Sequence, residues 1–182
     1  MNTEPVSVYL CLGSNLGDRK ENLDKAMSFL GQRLRIEEVS SIYDTEPEDN
    51  PDQPRFLNMV CHAYTLLEPQ GLLALLKGIE AKMGRVPSKP NSPRTIDIDI
   101  LLYGRQTLYS PTLTIPHPRL PERAFALVPL NEIAPELVHP VSGKKVKQML
   151  ADLEHGVQGV FKFVEPCEES AVEGKQDVSD NG

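Results

Sequence analysis

The sequence predicts an α+β protein, and three observations carry that expectation. Four short apolar stretches read as strands, two others place apolar residues at helical spacing, and their order is strand, helix, strand, strand, helix, strand. Val6 to Leu12 is an apolar run that ends in Gly13-Ser14-Asn15, a strand entering a turn. Asp18 and Glu21 then have capping-box spacing, and Leu23, Ala26, Met27 and Leu30 follow on one helical face before Gly31. Leu34 to Tyr43 reads as a second strand with an irregular middle at Glu37-Glu38. Leu57 to Leu66 is the third, with Leu57, Met59, Cys61 and Ala63 alternating. Pro69 opens a second helix whose stripe is Leu72, Leu75, Leu76, Ile79 and Met83, and Gly84 ends it. Ile96 to Tyr103 is the fourth strand. This order is that of a ferredoxin-like unit, an antiparallel sheet with helices packed on one face and long loops at the active site. Short helices are expected around Glu122 to Leu130 and Lys144 to Leu153.

The chain of 182 residues fits one domain, over 1–164, followed by an acidic tail without apolar period, 165–182, expected to be disordered. The formal charge is -7, but the tail holds six acids and one Lys, so residues 1–164 carry only -2. From Lys77 to Arg123 eight Lys and Arg face four acids, a local excess of +4. An extended nucleic-acid surface is thereby excluded, whereas a site for a small polyanion is not. The N-terminus lacks a basic leader and no apolar run reaches the roughly 18 residues of a spanning helix. Cys11, Cys61 and Cys167 show neither paired nor metal-ligand spacing. A cytoplasmic protein with no membrane partner is expected, and a monomer.

Two connections are long. Asp44 to Arg55 holds Pro47, Pro51 and Pro54 among five acids, and Arg85 to Arg94 holds Pro87, Pro90 and Pro93 among basic residues. Each is either a binding loop or a surface excursion. In Pro93-Arg94-Thr95-Ile96-Asp97-Ile98-Asp99-Ile100, a strand's period of two turns Ile96, Ile98 and Ile100 toward the helices and Asp97 and Asp99 to the opposite face. Those carboxylates would start about 7 Å apart. Their repulsion, roughly 2 kcal/mol at an effective dielectric of about 20, is relieved by a cation between them. Hard oxygen ligands without Cys or clustered His suit magnesium, and a solvated polar face is the alternative. Arg85, Lys89, Arg94, Arg119 and Arg123 around the pair match what a nucleoside triphosphate presents. In Ile115-Pro116-His117-Pro118-Arg119, flanking prolines fix His117 either as a donor to phosphate or as a loop histidine without a ligand. Phe56, Asn58 and Phe125 could hold a flat heterocycle or pack in the core. Gly13-Ser14-Asn15 is either an anion nest or a turn. There is no convincing Ser, Cys or His triad, which suits a reaction run by positioning and charge neutralisation.

Taken in order, Leu12-Gly13-Ser14-Asn15-Leu16-Gly17, Ser41-Ile42-Tyr43-Asp44-Thr45, Phe56-Leu57-Asn58, Gly84-Arg85, Pro93 to Tyr103, and Ile115-Pro116-His117-Pro118 with Glu122-Arg123-Ala124-Phe125 resemble the 6-hydroxymethyl-7,8-dihydropterin pyrophosphokinase family of folate biosynthesis. The resemblance runs from about Ser7 to Leu150. It implies transfer of the β,γ-diphosphate of ATP to the pterin hydroxymethyl group, giving AMP. It further implies that Asp97 and Asp99 hold two magnesium ions and that Arg85 and Arg94 engage the triphosphate from a mobile loop. By the same resemblance His117 and Arg123 bind phosphates, Ile100 and Thr114 contact nucleotide, and Glu80 belongs with the ATP positions. Phe56 and Phe125 would sandwich the pterin, with Asn58 and the Thr45 backbone reading its edge. Some members carry a Trp just before the Pro-Arg, whereas this chain has Asn91-Ser92 there and no Trp anywhere. The competing readings are another magnesium-dependent nucleotide phosphotransferase or hydrolase, and a non-catalytic RNA-binding or ligand-sensing module.

Overall fold

The structure is a computed structural model that describes residues 1–85, 92–153 and 157–166. Its spine is the strand β1 (Val6–Ser14), apolar along most of its length because it is covered on both faces. On one side β1 pairs antiparallel with β4 (Phe56–Thr65), and on the other with β5 (Asp97–Tyr103). Beyond β4 lie β2 (Arg35–Val39) and β3 (Tyr43–Thr45), both antiparallel to it, and β3 is flanked in turn by β8 (Val160–Lys162). A separate ribbon joins β6 (Leu108–Tyr109) to β7 (Thr114–Ile115).

Helices α1 (Arg19–Gly31) and α2 (Pro69–Lys82) cover one face. The Asp18 side chain accepts the Glu21 amide at the N-terminus of α1, as the capping spacing leads one to expect. Leu23, Ala26 and Leu30 of α1 and Leu72, Leu76 and Ile79 of α2 meet Val8, Leu10 and Leu12 of β1 and Ile96, Ile98 and Ile100. The ferredoxin-like α+β arrangement is therefore present.

Three features depart from the sequence reading. Helices occupy both faces, since α3 (Ala124–Ile133) and the one-and-a-half-turn α4 (Val146–Ala151) pack on the opposite side over Tyr9, Cys11, Val60, Leu101 and Leu102. One extra residue in β5 enlarges that second core: Tyr9 pairs with Leu102 but Leu10 with Ile100, so Leu101 and Leu102 both belong to it. Secondly, the expected strand Leu34 to Tyr43 is two strands. At the break the Ser40 hydroxyl accepts the Val60 amide (2.9 Å) while the Ser40 amide donates to the Val60 carbonyl (2.9 Å), so a side chain takes over one rung of the ladder. Thirdly, β8 was not anticipated, and Asp44 and Thr45 belong to β3 rather than to the loop. All but the first two residues of the expected tail lie outside the described residues, as do Lys89, Asn91, His155 and Cys167. No helix among the described residues is long and apolar enough to cross a membrane.

One carboxylate joins the second layer to the sheet. Glu132 on α3 accepts from the Ser41 amide and from the Tyr43 hydroxyl (2.8 Å), tying α3 to the start of β3. Glu132→Ala leaves both donors without this acceptor. We expect the unfolding free energy to fall by about 1 kcal/mol, because the exposed site lets water replace part of the loss. Urea denaturation followed by circular dichroism checks this, and an unchanged midpoint would show that water substitutes fully.

Candidate active site

The pleat of the central strands builds the site. Asp97, Gly13 and Asn58 lie in one cross-strand row, since Gly13 pairs with both neighbours, and Asp99 lies beside Cys11 in the next row. All of them point to the face that α3 and α4 cover only in part. Gly13 keeps this row open, because a Cβ there would sit 2.5 Å from Asn58 Oδ1 and 3.5 Å from the Phe56 ring. A cavity of about 200 Å³ results, walled by Gly13, Thr45, Phe56, Asn58, Arg94, Asp97, Arg123 and Phe125. The β3–β4 loop closes it with Glu46 to Asp49 and Gln53, and Arg119 stands opposite.

Seven of the anticipated residues thus line one cavity, and three more border it. Arg85 Nη1 lies 3.0 Å from Asp97, Arg123 Nη1 3.6 Å from Asp99, and His117 Nε2 3.3 Å from Arg123. Phe56 belongs to neither apolar core, so its ring is a wall of the cavity rather than core packing. Phe125 touches the edge of the α3 core, with the Arg123 guanidinium 5.3 Å from its ring centre. Asn58 is buried and donates to the Thr45 hydroxyl at 2.6 Å, which fixes the orientation of its amide.

The charges are compensated internally. Asp97 accepts from Arg94 (2.8 Å) and pairs with Arg85 (3.0 Å). Burial, and then the Asp97 charge, push the Asp99 carboxyl above its usual range, with Arg123 opposing them. A divalent cation would relieve that strain, and two hard carboxylates on one face fit magnesium, which accepts one or two protein ligands. Asp97 and Asp99 are the residues that would hold it.

His117 is shaped by its neighbours. Its Nδ1 accepts the Arg119 amide at 3.1 Å, and in that tautomer the neutral ring carries its proton on Nε2, which then lies 3.3 Å from Arg123 Nη1 without bonding to it, since a guanidinium only donates. Burial and the guanidiniums of Arg123 and Arg119 push its pKa down to about 4.

Three positions are not brought to the cavity. Glu80 is 2% exposed, with Oε1 accepting the Ile98 amide (2.8 Å) and Oε2 bound to Arg85 (2.6 Å) and Lys77 (3.3 Å). It supports the site from beneath instead of contacting the cleft, because a carboxylate with both oxygens engaged by protein donors has little left for a ligand. The Ile100 side chain is in the α1/α2 core, so only its backbone faces elsewhere. Thr114 sits in the β6–β7 ribbon, outside the cavity wall.

Asn15 was missed as a functional residue. The turn reading of Gly13-Ser14-Asn15 holds: Asn15 exchanges backbone and side-chain bonds with Arg94, its amide donating to the Arg94 carbonyl (3.1 Å) and its Oδ1 accepting the Arg94 amide (2.7 Å). Its Nδ2 donates to Gln53 Oε1 (3.0 Å) and to the Pro54 carbonyl (3.2 Å). One buried side chain therefore fastens both long loops. Its only sequence signal was an Asn after a strand.

The fold and cleft define a class: an α+β protein whose sheet presents paired carboxylates, clustered guanidiniums and aromatic walls, equipped for oxyanions, hard cations and a flat ring. The sequence model of the 7,8-dihydro-6-hydroxymethylpterin pyrophosphokinase family matches residues 9–135, and the chain belongs to that family. It is 42% identical over 142 residues to a 2-amino-4-hydroxy-6-hydroxymethyldihydropteridine pyrophosphokinase of Aquifex aeolicus, covering 78% of this chain and 89% of that one. The corresponding Bacillus subtilis protein is 39% identical over 158 residues, 86% of this chain and 95% of its own. The folic acid synthesis protein fol1 of Pneumocystis carinii is 41% identical over 160 residues, 87% of this chain but 22% of that protein, so the chain spans about a fifth of such relatives. In fold it resembles a Plasmodium falciparum HPPK-DHPS crystal structure, with a TM-score of 0.68 at 19% identity, over 80% of this chain and 44% of that one.

Two outcomes are expected from this geometry. His117 should titrate near 4 by NMR, with Nδ1 the unprotonated nitrogen at neutral pH. Its folded pKa lies below the ordinary 6.5, so between those values the unfolded chain binds more protons. The stability it contributes is complete above pH 6.5 and falls as pH drops toward 4; His117→Gln should flatten that part of the profile. Asn15→Ala should cost about 1–2 kcal/mol in thermal or urea unfolding by leaving the part-buried Arg94 amide without this acceptor. Asn15→Asp keeps that acceptor and should cost less.

Proposed function

We propose that the chain transfers the β,γ-diphosphate of ATP to the hydroxymethyl group of 6-hydroxymethyl-7,8-dihydropterin, giving the pterin diphosphate and AMP, a step of folate biosynthesis. The observation that carries this reading is the Asp97–Gly13–Asn58 row. It sets a carboxylate ringed by Arg85 and Arg94 beside a buried amide that faces two phenylalanines. Family membership supports the same reaction.

In this reading Phe56 and Phe125 sandwich the pterin while Asn58 and the Thr45 backbone pair with its edge. Asp97 and Asp99 would hold two magnesium ions, whose chemistry there would be to neutralise charge on the phosphate oxygens. Arg85 and Arg94 then pass from Asp97 to the phosphates. His117 donates through Nε2–H beside Arg123, with Ile100 and Thr114 supplying further nucleotide contacts through their backbone or hydroxyl. The pterin oxygen bonds to the β-phosphorus, the bond from that phosphorus to the α–β bridging oxygen breaks, AMP departs with that oxygen, and the hydroxyl proton is lost. The protein's share is positioning and charge balance, consistent with thiols kept from ionising by burial at Cys11 and Cys61, the latter pushed up to about 12. The unit required for this is residues 1–164, and it works in the cytoplasm as a monomer.

The test is incubation with ATP, magnesium and the pterin while the nucleotide product is followed. AMP is expected; ADP or inorganic phosphate would replace this reading with another phosphotransferase or a hydrolase. Asp97→Ala and Asp99→Ala should each lower turnover by at least two orders of magnitude, about 2.7 kcal/mol in the barrier, with circular dichroism unchanged. Near-normal rates would remove both from the metal site.

A further inference from the structure

Arg119 and Arg123 face each other across a carboxylate that belongs to neither of their elements. Glu48, at the tip of the β3–β4 loop, sets Oε1 3.3 Å from Arg119 Nη2 and Oε2 3.3 Å from Arg123 Nε. The two guanidiniums are thus spaced so that one oxyanion group with two oxygens spans both. Neither contact is a good one. Arg123 Nε is buried and has no hydrogen-bond partner among the described residues, because Glu48 is close to it but not in line with the N–H. Arg119 divides itself among Glu48 (3.3 Å), Asp49 (3.3 Å) and Glu122 (3.6 Å), and none of these contacts is as short as the 2.8 Å of Arg94 to Asp97. A guanidinium spread over several loose carboxylates and a buried donor left unpaired are what a seat built for another anion shows when a substitute fills it. Glu48, Arg119 and Arg123 all line the cavity, as do Arg94, Asp97 and Phe125. The Arg119 backbone is held in place by its amide bond to His117 Nδ1.

We propose that Arg119 is a further binding residue for the polyphosphate, and that Glu48 occupies the Arg119–Arg123 seat until a phosphate group displaces it. The inference rests on the functional reading above, since it supposes that a nucleotide polyphosphate enters this cavity. A phosphate carries more oxygens and more charge than a carboxylate, so it can align with Arg123 Nε and still reach the Arg119 fork. Displacing Glu48 frees the loop tip at the same moment, while the loop's ends stay anchored. At one end the Glu46 amide donates to the Gly159 carbonyl (3.1 Å), and at the other Arg55 donates to Asp44 Oδ1 (2.5 Å) and to the Gly159 carbonyl (3.0 Å).

A competing carboxylate and a binding guanidinium have effects of opposite sign, and a purely structural latch does not. The full chain is titrated calorimetrically with α,β-methylene-ATP and magnesium. Glu48→Gln, which keeps the shape and removes the charge, should tighten binding about fivefold, and Arg119→Ala should weaken it about tenfold, with Arg119→Lys between. In the double variant Glu48→Gln should lose at least half of its benefit, because the competition it relieves needs Arg119. Unchanged or weaker binding in Glu48→Gln, or unchanged binding in Arg119→Ala, overturns the inference while leaving the functional reading intact. No binding by the unaltered chain overturns the functional reading, and the inference with it.

Discussion

A single buried carboxylate, Glu80, sets the terms for the rest of the site. A carboxylate that is 2% exposed cannot remain charged without partners, and Glu80 takes them from two different elements. One oxygen binds the Ile98 amide near the start of β5, and the other binds Arg85 just past the end of α2. Gly84, at φ +85, lets the chain turn so that Arg85 can reach back. The helix, the start of β5 and the first arginine of the following loop are thereby locked to one charge. Losing Arg85 would leave that buried charge only the Ile98 amide and the longer 3.3 Å contact to Lys77, which is costlier than the bond itself is favourable. Asp97 stands one step further along the same chain, 3.0 Å from the same Arg85 Nη1 that Glu80 holds.

That chain of alternating charge explains how a cleft with so many ionised groups is stable before any ligand arrives. Glu80, Arg85, Asp97 and Arg94 form one run, and Asp99, Arg123, Glu48 and Arg119 form a second, each positive group lying between two negative ones or at an end. A cation at the aspartates and an anion at the arginines would replace these internal pairs by external ones without changing the net charge of the cleft. Exchange of that sort keeps the folded state intact through the cycle, because no step leaves a buried charge alone.

What the sequence disclosed and what it withheld divide along physical lines. Period-two alternation in Ile96 to Ile100 fixed which side chains share a face, and the structure has the aspartates on the open side and the isoleucines in the core. Helical spacing gave α1 and α2 to within a residue or two. Interactions that involve no period were not legible. Ser40 breaks a strand by lending its hydroxyl to Val60, and Leu101 shifts a register, but neither residue type announces such a role. The shift also widens the surface under the second helical layer, since the bulge brings two consecutive leucines into its core. Glu80 was assigned to the ligand by resemblance, and only burial could show that its oxygens are already taken. Asn15 was hidden for a related reason: its partners, Arg94, Gln53 and Pro54, are 38 to 79 residues away, beyond any local pattern.

Gly13 shows how a missing side chain can matter as much as a charged one. It occupies the central strand between Asp97 and Asn58, the position from which any Cβ would meet the Asn58 amide oxygen. The carboxylate on one neighbour and the amide on the other are therefore separated by bare backbone, and a flat ligand can lie across the sheet and touch both. A larger residue there would push Asn58 off Thr45 and divide the cavity into two compartments, one for charge and one for a ring. Joining two substrates requires that those compartments be continuous, so the close spacing of three strands at a glycine is the geometric condition for the reaction proposed here.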